Sequence, residues 1–386
     1  MIVKSYFPSQ VVSDLEKMSY DYGLKVAKAI EAEWFHTERG SNRYKTNHNN
    51  YHNLRLYARG EQSIQKYKDE LSINGDLSYL NLDWKPVPII PKFVDIVVNG
   101  IAERTYDIKA YSQDPFGVEK RTQYMESLLT DMRTQEFNDY VGEAFGVDLY
   151  ENEKDTLPES QEELDLHMQL SYKQAVEVAE EQAINTLLEG NNYELTKKRF
   201  YYDLTVLGIG AVKTSFNTSE GVVVDYVDPA DLVYSYTESP YFDDIYYVGE
   251  VKTIPINELI KQFPDISDSD LEDITKNKSY HKENYNKTGT NLREEDNNKI
   301  QILYFNYKTY NNRVFKIKKT GSGAMKAIEK TDSFNPPAAT DFEKVSDRLE
   351  VLYEGAKILG TNTMLKWQLA KNMIRPKSDY NKVKMN

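Results

Sequence analysis

Residues 222–264, VVVDYVDPADLVYSYTESPYFDDIYYVGEVKTIPINELIKQFP, decide how this chain reads. Val222 to Val227 is β-branched and aromatic, the composition of a strand. Pro229 fixes φ and lacks an N–H, so that strand must end there. Val227-Asp228-Pro229-Ala230-Asp231 is therefore a rigid corner, with Asp231 placed to cap or accept from the turn backbone. A second apolar run follows, then an acidic turn at Asp243-Asp244, then a half-buried strand over residues 245–251. Pro255 and Pro264 bracket a short helix with Ile256, Leu259, Ile260 and Phe263 on one face. Several carboxylates crowd this stretch: Asp225, Asp228, Asp231, Asp243 and Asp244. A pair of them could hold Mg²⁺ in a nuclease or nucleotidyltransferase; the polar turn setting suits capping and solvation.

The rest of the composition narrows the function class. A chain of 386 residues can hold two or three domains' worth of core, and its 40% hydrophobic and 28% charged residues suit a globular fold. The net charge of −13 argues against a protein whose main task is gripping nucleic acid, which needs clustered Lys and Arg; it does not forbid a surface that DNA slides past. With no Cys, disulfides, thiolate chemistry and Cys-based zinc sites are excluded. No run approaches the roughly 18 apolar residues of a membrane span, and the first residues lack the apolar core of a secretion signal.

Taken in order, residues 13–34 carry Leu15, Met18, Tyr22, Val26, Ile30 and Trp34 at helical spacing, with Ser13 as N-cap and an interruption expected at Gly23. Residues 35–53 read as a polar loop or exposed arm, and residues 54–67 as a helix broken by Gly60. His48 and His52 share a helix face but lack the Glu of a metalloprotease motif, so no metal is assigned to them. Residues 37–68 hold seven bases against Glu38 and Glu61. Arg39, Arg43, Lys45, Arg55 and Arg59 are thus candidates for contact with another subunit or with DNA, and interleaved Tyr44, Tyr51, Tyr57 and Tyr67 would permit stacking.

Residues 84–104, WKPVPIIPKFVDIVVNGIAER, predict an extended approach set by three prolines, then a mostly buried helix after Pro91. A short strand over residues 107–110 and a helix over 118–141 follow, with a short extended piece over 145–150. Residues 151–189 hold eleven acids and two lysines on what reads as one amphipathic helix of about seven turns. A further helix over 193–207 leads into Gly208-Ile-Gly-Ala-Val-Lys213. That glycine pair follows a helix and precedes a strand, the reverse of the order that seats phosphates on a helix N-terminus, so it reads as a close-packed bend.

Residues 265–298 form a polar insertion. Residues 299–309 and 313–319 read as two strands of a hairpin turning at Tyr310-Asn311-Asn312, and residues 347–353 and 357–359 as another turning at Glu354-Gly355. The glycines around residue 321 lack the spacing of a phosphate loop, and the piece through residue 341 reads as linker. The last twenty residues, from Trp367, carry five bases and one acid and end extended. The fold class is α+β: a mostly helical body over 1–215, then a β-rich antiparallel meander over 216–386.

The order of strand, Val-Asp-Pro-Ala-Asp corner, Asp-rich turn, Tyr-Val-Gly-Glu and short helix ending in Phe-Pro resembles the portal proteins of tailed bacteriophages, and the Tyr/Asn/Lys-rich flavour is most like those of crAss-like phages. The Pro-rich lead-in and buried helix of 84–104 add to the resemblance, as does the passage at Gly208 from helical body to β-rich wing. What it implies is a non-enzymatic structural subunit, without cofactor, in a ring of about twelve copies at one capsid vertex, a conduit for double-stranded DNA in packaging and ejection. Its implied partners are copies of itself, the major capsid protein, a head-to-tail adaptor, terminase during packaging and the passing DNA, with no membrane. Its place is the virion, and the host cytoplasm during assembly. The resemblance covers the wing-containing part; the stem, clip and crown of the family are not evident. Two other readings are the Mg²⁺-dependent enzyme on the acids between Asp225 and Asp244, and a tail or adaptor ring component.

Overall fold

The computed structural model describes residues 6–36, 42–61, 63–72, 83–84, 87–104, 107–111, 115–146, 157–158, 160–170, 172–217, 221–264, 266–267, 271, 299–319, 325–331, 334–335, 342–371, 373, 375, 378–379 and 381–384. It is mixed α+β, with an antiparallel six-stranded sheet and a separate two-stranded one. The chain divides into two compact units: Met1–Val94 with Asp203–Ala211 and Val227–Asn386, and Asp95–Tyr202 with Val212–Tyr226. Among the described residues no helix is long and apolar enough to cross a membrane.

The first unit is built on the six-stranded sheet. Strands β3 (Leu232–Tyr234), β4 (Tyr247–Pro255), β5 (Lys299–Lys319), β7 (Phe342–Ile358) and β8 (Met364–Leu369) lie in that order, and β6 (Met325–Lys330) pairs with the far half of β5. Strand alternation sends Leu303, Phe305 and Tyr307 to one face, with Tyr247, Val251, Tyr353 and Trp367 beside them. Helix α2 (Tyr20–Phe35) covers that face with Tyr22, Val26, Ala27, Ile30 and Trp34. The opposite face packs Ile254, Ile300, Ile302 and Ile358 against Leu259 of α10 (Ile256–Gln262). Burial of each such side chain contributes about 1.5–3 kcal/mol relative to exposure. Ile260 of α10 is exposed, correcting its expected place on the buried face; Ile256 and Phe263 do pack there.

Two glycines are demanded by this core. Phe305 pairs with Gly249 on one side and Gly355 on the other, and a Cβ on Gly355 would lie 2.4 Å from its ring. Gly23 does not interrupt α2. It lies inside the helix, where a Cβ would meet the Trp367 indole at 2.5 Å. The break comes earlier, between α1 (Asp14–Lys17) and α2, where Ser19 starts a new helix by accepting from the Tyr22 amide.

The two expected hairpins of the sheet are instead long continuous strands. β5 runs unbroken through Tyr310-Asn311-Asn312 and β7 through Glu354-Gly355. On its second edge β5 pairs with β4 up to Tyr307 and with β6 only from Val314, which leaves a gap between them. Helix α1 fills it: the Lys17 ammonium donates to the Tyr310 carbonyl, and the Asp14 carboxylate accepts from the Asn312 amide at 3.2 Å. The strand's unpaired backbone is thus satisfied by side chains almost 300 residues away, which no local pattern announces. β6 lies where linker was expected.

The second unit is helical. It contains α6 (Pro115–Phe145), α7 (Gln161–Leu170), α8 (Ala175–Gly190) and most of α9 (Tyr193–Leu207). Its core is small: Leu128, Leu164 and Met168, with Tyr124 stacked on Tyr172 at 4.4 Å. The expected single acidic helix is two. α8 restarts at Gln174, whose amide donates to the Glu177 carboxylate at 2.9 Å in a capping box. Residues 107–110 are not a strand, Phe145 belongs to α6 and Gly146 follows it with φ 68°; residues 147–150 of the extended piece expected there, and nearly all of the 265–298 insertion, lie outside the described residues. Strands β1 (Ala211–Asn217) and β2 (Gly221–Val227) pair with each other, and the Asn191 side chain ties the end of α8 to β2 through the Val224 amide (3.1 Å) and the Val222 carbonyl (3.0 Å). Helix α5 (Ile90–Ala102) was expected to be mostly buried. Only the stripe Val94, Val98 and Ala102 is, while Phe93, Ile96 and Val97 are exposed.

Candidate functional site

Residues 43–53, expected as loop or arm, are the first part of helix α3 (Arg43–Arg59). Polarity misleads there, because the helix is defined by its ends. Asn42 caps the start by accepting from the Lys45 amide at 2.7 Å, and Gly60 takes the left-handed conformation (φ 74°) at the end. Helical spacing then aligns Tyr44, His48, Tyr51 and Arg55 on one face. That face meets the Val-Asp-Pro-Ala-Asp corner within the first unit.

The contacts form a clamp. Arg55 donates to both oxygens of Asp228, at 2.9 and 2.8 Å, and to Asp203 at 2.9 Å. The Tyr44 hydroxyl donates to Asp231 at 2.7 Å. Asp228, not Asp231, caps the turn: its carboxylate accepts from the Ala230 amide at 2.9 Å at the start of the 3-10 turn Pro229–Asp231. Burial works to raise the Asp228 carboxyl, but the Arg55 and Ala230 hydrogen bonds outweigh it and hold it below the usual range. Asp231 is shifted the other way, raised mainly by burial despite the Tyr44 bond. Burial pushes the Tyr51 hydroxyl up to about 12, helped by its neighbour Tyr234.

The residues marked in the sequence part company here. Arg43 pairs with Glu33 at 2.8 Å and lies 4.1 Å over the Trp34 ring, so it and Arg55 are committed within the chain. Lys45 is half-exposed on α3, Arg59 is half-exposed beside Glu61 at 3.5 Å, and Arg39 lies outside the described residues. Of the acids, Asp244 accepts from the Glu238 amide and the Thr237 hydroxyl. Asp225 belongs to the second unit. Among the described residues no group of three His, Asp or Glu is arranged to hold a metal ion. A carboxylate with both oxygens on one guanidinium has little left to offer a cation, so the corner is a rigid joint.

Sequence reasoning missed Asp203 and marked Tyr44 only for stacking, not for its bond to Asp231. A helical reading of residues 43–55 would have put Tyr44 on the Arg55 face; nothing local marks Asp203, which is 148 residues from Arg55. No protein-family model matches this sequence, and a comparison with curated proteins returns no match.

Proposed function

We propose that this chain is the subunit of a bacteriophage portal: a structural, non-enzymatic ring of about twelve copies at a capsid vertex, through which double-stranded DNA passes. The observation that supports it is the surface of the helical unit. Phe116, Phe137, Tyr140 and Phe145 of α6, Leu166 of α7, and Val176 and Ile184 of α8 are all exposed, four of the seven by more than 56%. A water-soluble monomer seldom displays so many large apolar side chains in one helical region, whereas a subunit of a larger assembly buries them against neighbours. The clamped corner agrees with a structural role, since its carboxylates position backbone and are engaged by Arg55, Tyr44 and the Ala230 amide.

Electron microscopy of the purified full chain, with sedimentation velocity, tests this. A closed ring of about twelve with a central pore is expected. A monomer or dimer across the micromolar range would overturn it, and a ring of another copy number would favour a tail or adaptor component.

A further inference from the structure

The far ends of β5, β6 and β7 form a three-stranded ribbon whose two faces carry opposite chemistry. Residues directly paired across a sheet project to the same face. The register gives three transverse rows on one face: Lys326–Lys318–Phe342, Ile328–Lys316–Lys344 and Lys330–Val314–Ser346. Those nine positions hold five lysines and no acid. The other face holds Phe315, Ile317, Ala327, Met325 and Val345 with Glu329, Glu343, Asp347 and one lysine, Lys319 opposite Met325, and its Arg313 is paired with Glu329 at 3.1 Å. Among the described residues none of the five lysines is ion-paired. Lys316 sits 3.3 Å from the centre of the Phe342 ring, and Lys344 reaches Asn335 at 3.1 Å. β6 is an edge strand with every residue exposed.

Like charges directly opposite in a sheet are destabilising, and here Lys318 faces Lys326 and Lys316 faces Lys344 in a chain of net charge −13. We propose that this lysine face binds the phosphate backbone of double-stranded DNA without reading sequence. Strand geometry spaces the rows about 6.7 Å apart and the strands about 4.8 Å, so the backbone positions of the five lysines fall within roughly 10 by 13 Å. Lysine is a point charge suited to phosphate, whereas protein–protein interfaces are depleted in it and favour arginine. The face offers no row of free aromatic rings for unstacked bases, because Phe342, its one ring, lies under Lys316; a duplex backbone is the fitting polyanion. The inference rests on the ribbon alone and holds whether or not the chain forms a ring.

The test is fluorescence anisotropy of the full chain with a labelled 20-base-pair duplex between 50 and 200 mM NaCl. Binding is expected to be indifferent to sequence, with log K falling against log salt at a slope of up to about −4.5 for five contacts. The triple variant K316Q/K318Q/K326Q should flatten the slope by about 2.7 and weaken binding at least about 100-fold at 0.1 M salt. The corresponding triple arginine variant should retain it, as should E343Q on the other face. If the triple glutamine variant melts early, the exposed K326Q alone should still cost about 0.9 of slope. The proposal is overturned if the wild type does not bind the duplex at 50 mM NaCl, or if the glutamine variants keep the full slope. It is equally overturned if the face retains anionic phosphatidylserine vesicles but not duplex, or if the variants change only the sedimentation of the protein itself.

Discussion

The sheet unit and the helical unit solve the same problem in opposite ways. The first buries an aromatic face under α2 and ties it down with buried charge: Lys357, fully buried on β7, meets Glu31 of α2 at 2.5 Å, and the other Glu31 oxygen accepts from the Gly360 amide at 2.9 Å. The second has a small apolar cluster, Leu128, Leu164 and Met168, and exposes Phe116, Phe137, Tyr140 and Phe145 of α6 and Val176 and Ile184 of α8. The difference teaches where each unit gets its stability. The first rests on a large aromatic core closed by a buried ion pair, the second on a small cluster with several large side chains of its helices in water.

The largest expected effect breaks the first half of that contrast. Glu31→Ala leaves Lys357 buried without its partner and should destabilise the fold by about 3–5 kcal/mol in urea unfolding, while replacing both residues with Met should recover most of the loss. Arg55→Met removes the guanidinium shared by Asp203, only 3% exposed, and Asp228, and should cost about 2–3 kcal/mol by the same measurement. Gly355→Ala drives a Cβ into the Phe305 ring and should cost about 1–3 kcal/mol, read as a lowered melting temperature.

A smaller effect sharpens the reading of the corner through pH. The Asp228 carboxyl is depressed below its ordinary value of 3.8 in the folded state, so its contribution is fully present above that pH and is lost as pH falls through the folded value. The Asp231 carboxyl is raised, so ionising it in the fold is a cost, present at neutral pH and relieved as pH falls toward 3.8. Asp231→Asn should therefore be neutral or stabilising at pH 7, with any gain vanishing on acidification, and Asp228→Asn should weaken the fold at pH 7. Chemical denaturation between pH 3 and 7 checks both; matching profiles for the two variants would refute the opposed shifts.

The smallest stability effect is the most informative about the second unit. Phe137→Ser with Tyr140→Ser should change unfolding free energy by no more than about 0.5 kcal/mol per site, because both side chains are exposed. The same pair should abolish or shrink any assembly seen by sedimentation velocity. A large loss of stability with assembly intact would show that these side chains serve the chain's own fold.

Wherever a local rule has no competitor, the sequence by itself determined the element. The α+β class, the helix over residues 193–207, the strand ending before Pro229 and the short helix from Ile256 follow from periodicity and from what proline forbids. Tertiary structure alone decided that β5 continues through two asparagines, since its exposed backbone is satisfied by Asp14 and Lys17 from the other end of the chain. It also decided that the basic segment around Arg55 folds onto the chain's own acidic corner, so that the Val-Asp-Pro-Ala-Asp turn is a joint clamped by α3. The lysine face of the ribbon belongs to the same class: its residues are spread over 314–346, and only strand register gathers them on one side. Long-range pairing depends on which distant groups can satisfy a buried charge or an unpaired amide, and that is a property of the assembled fold.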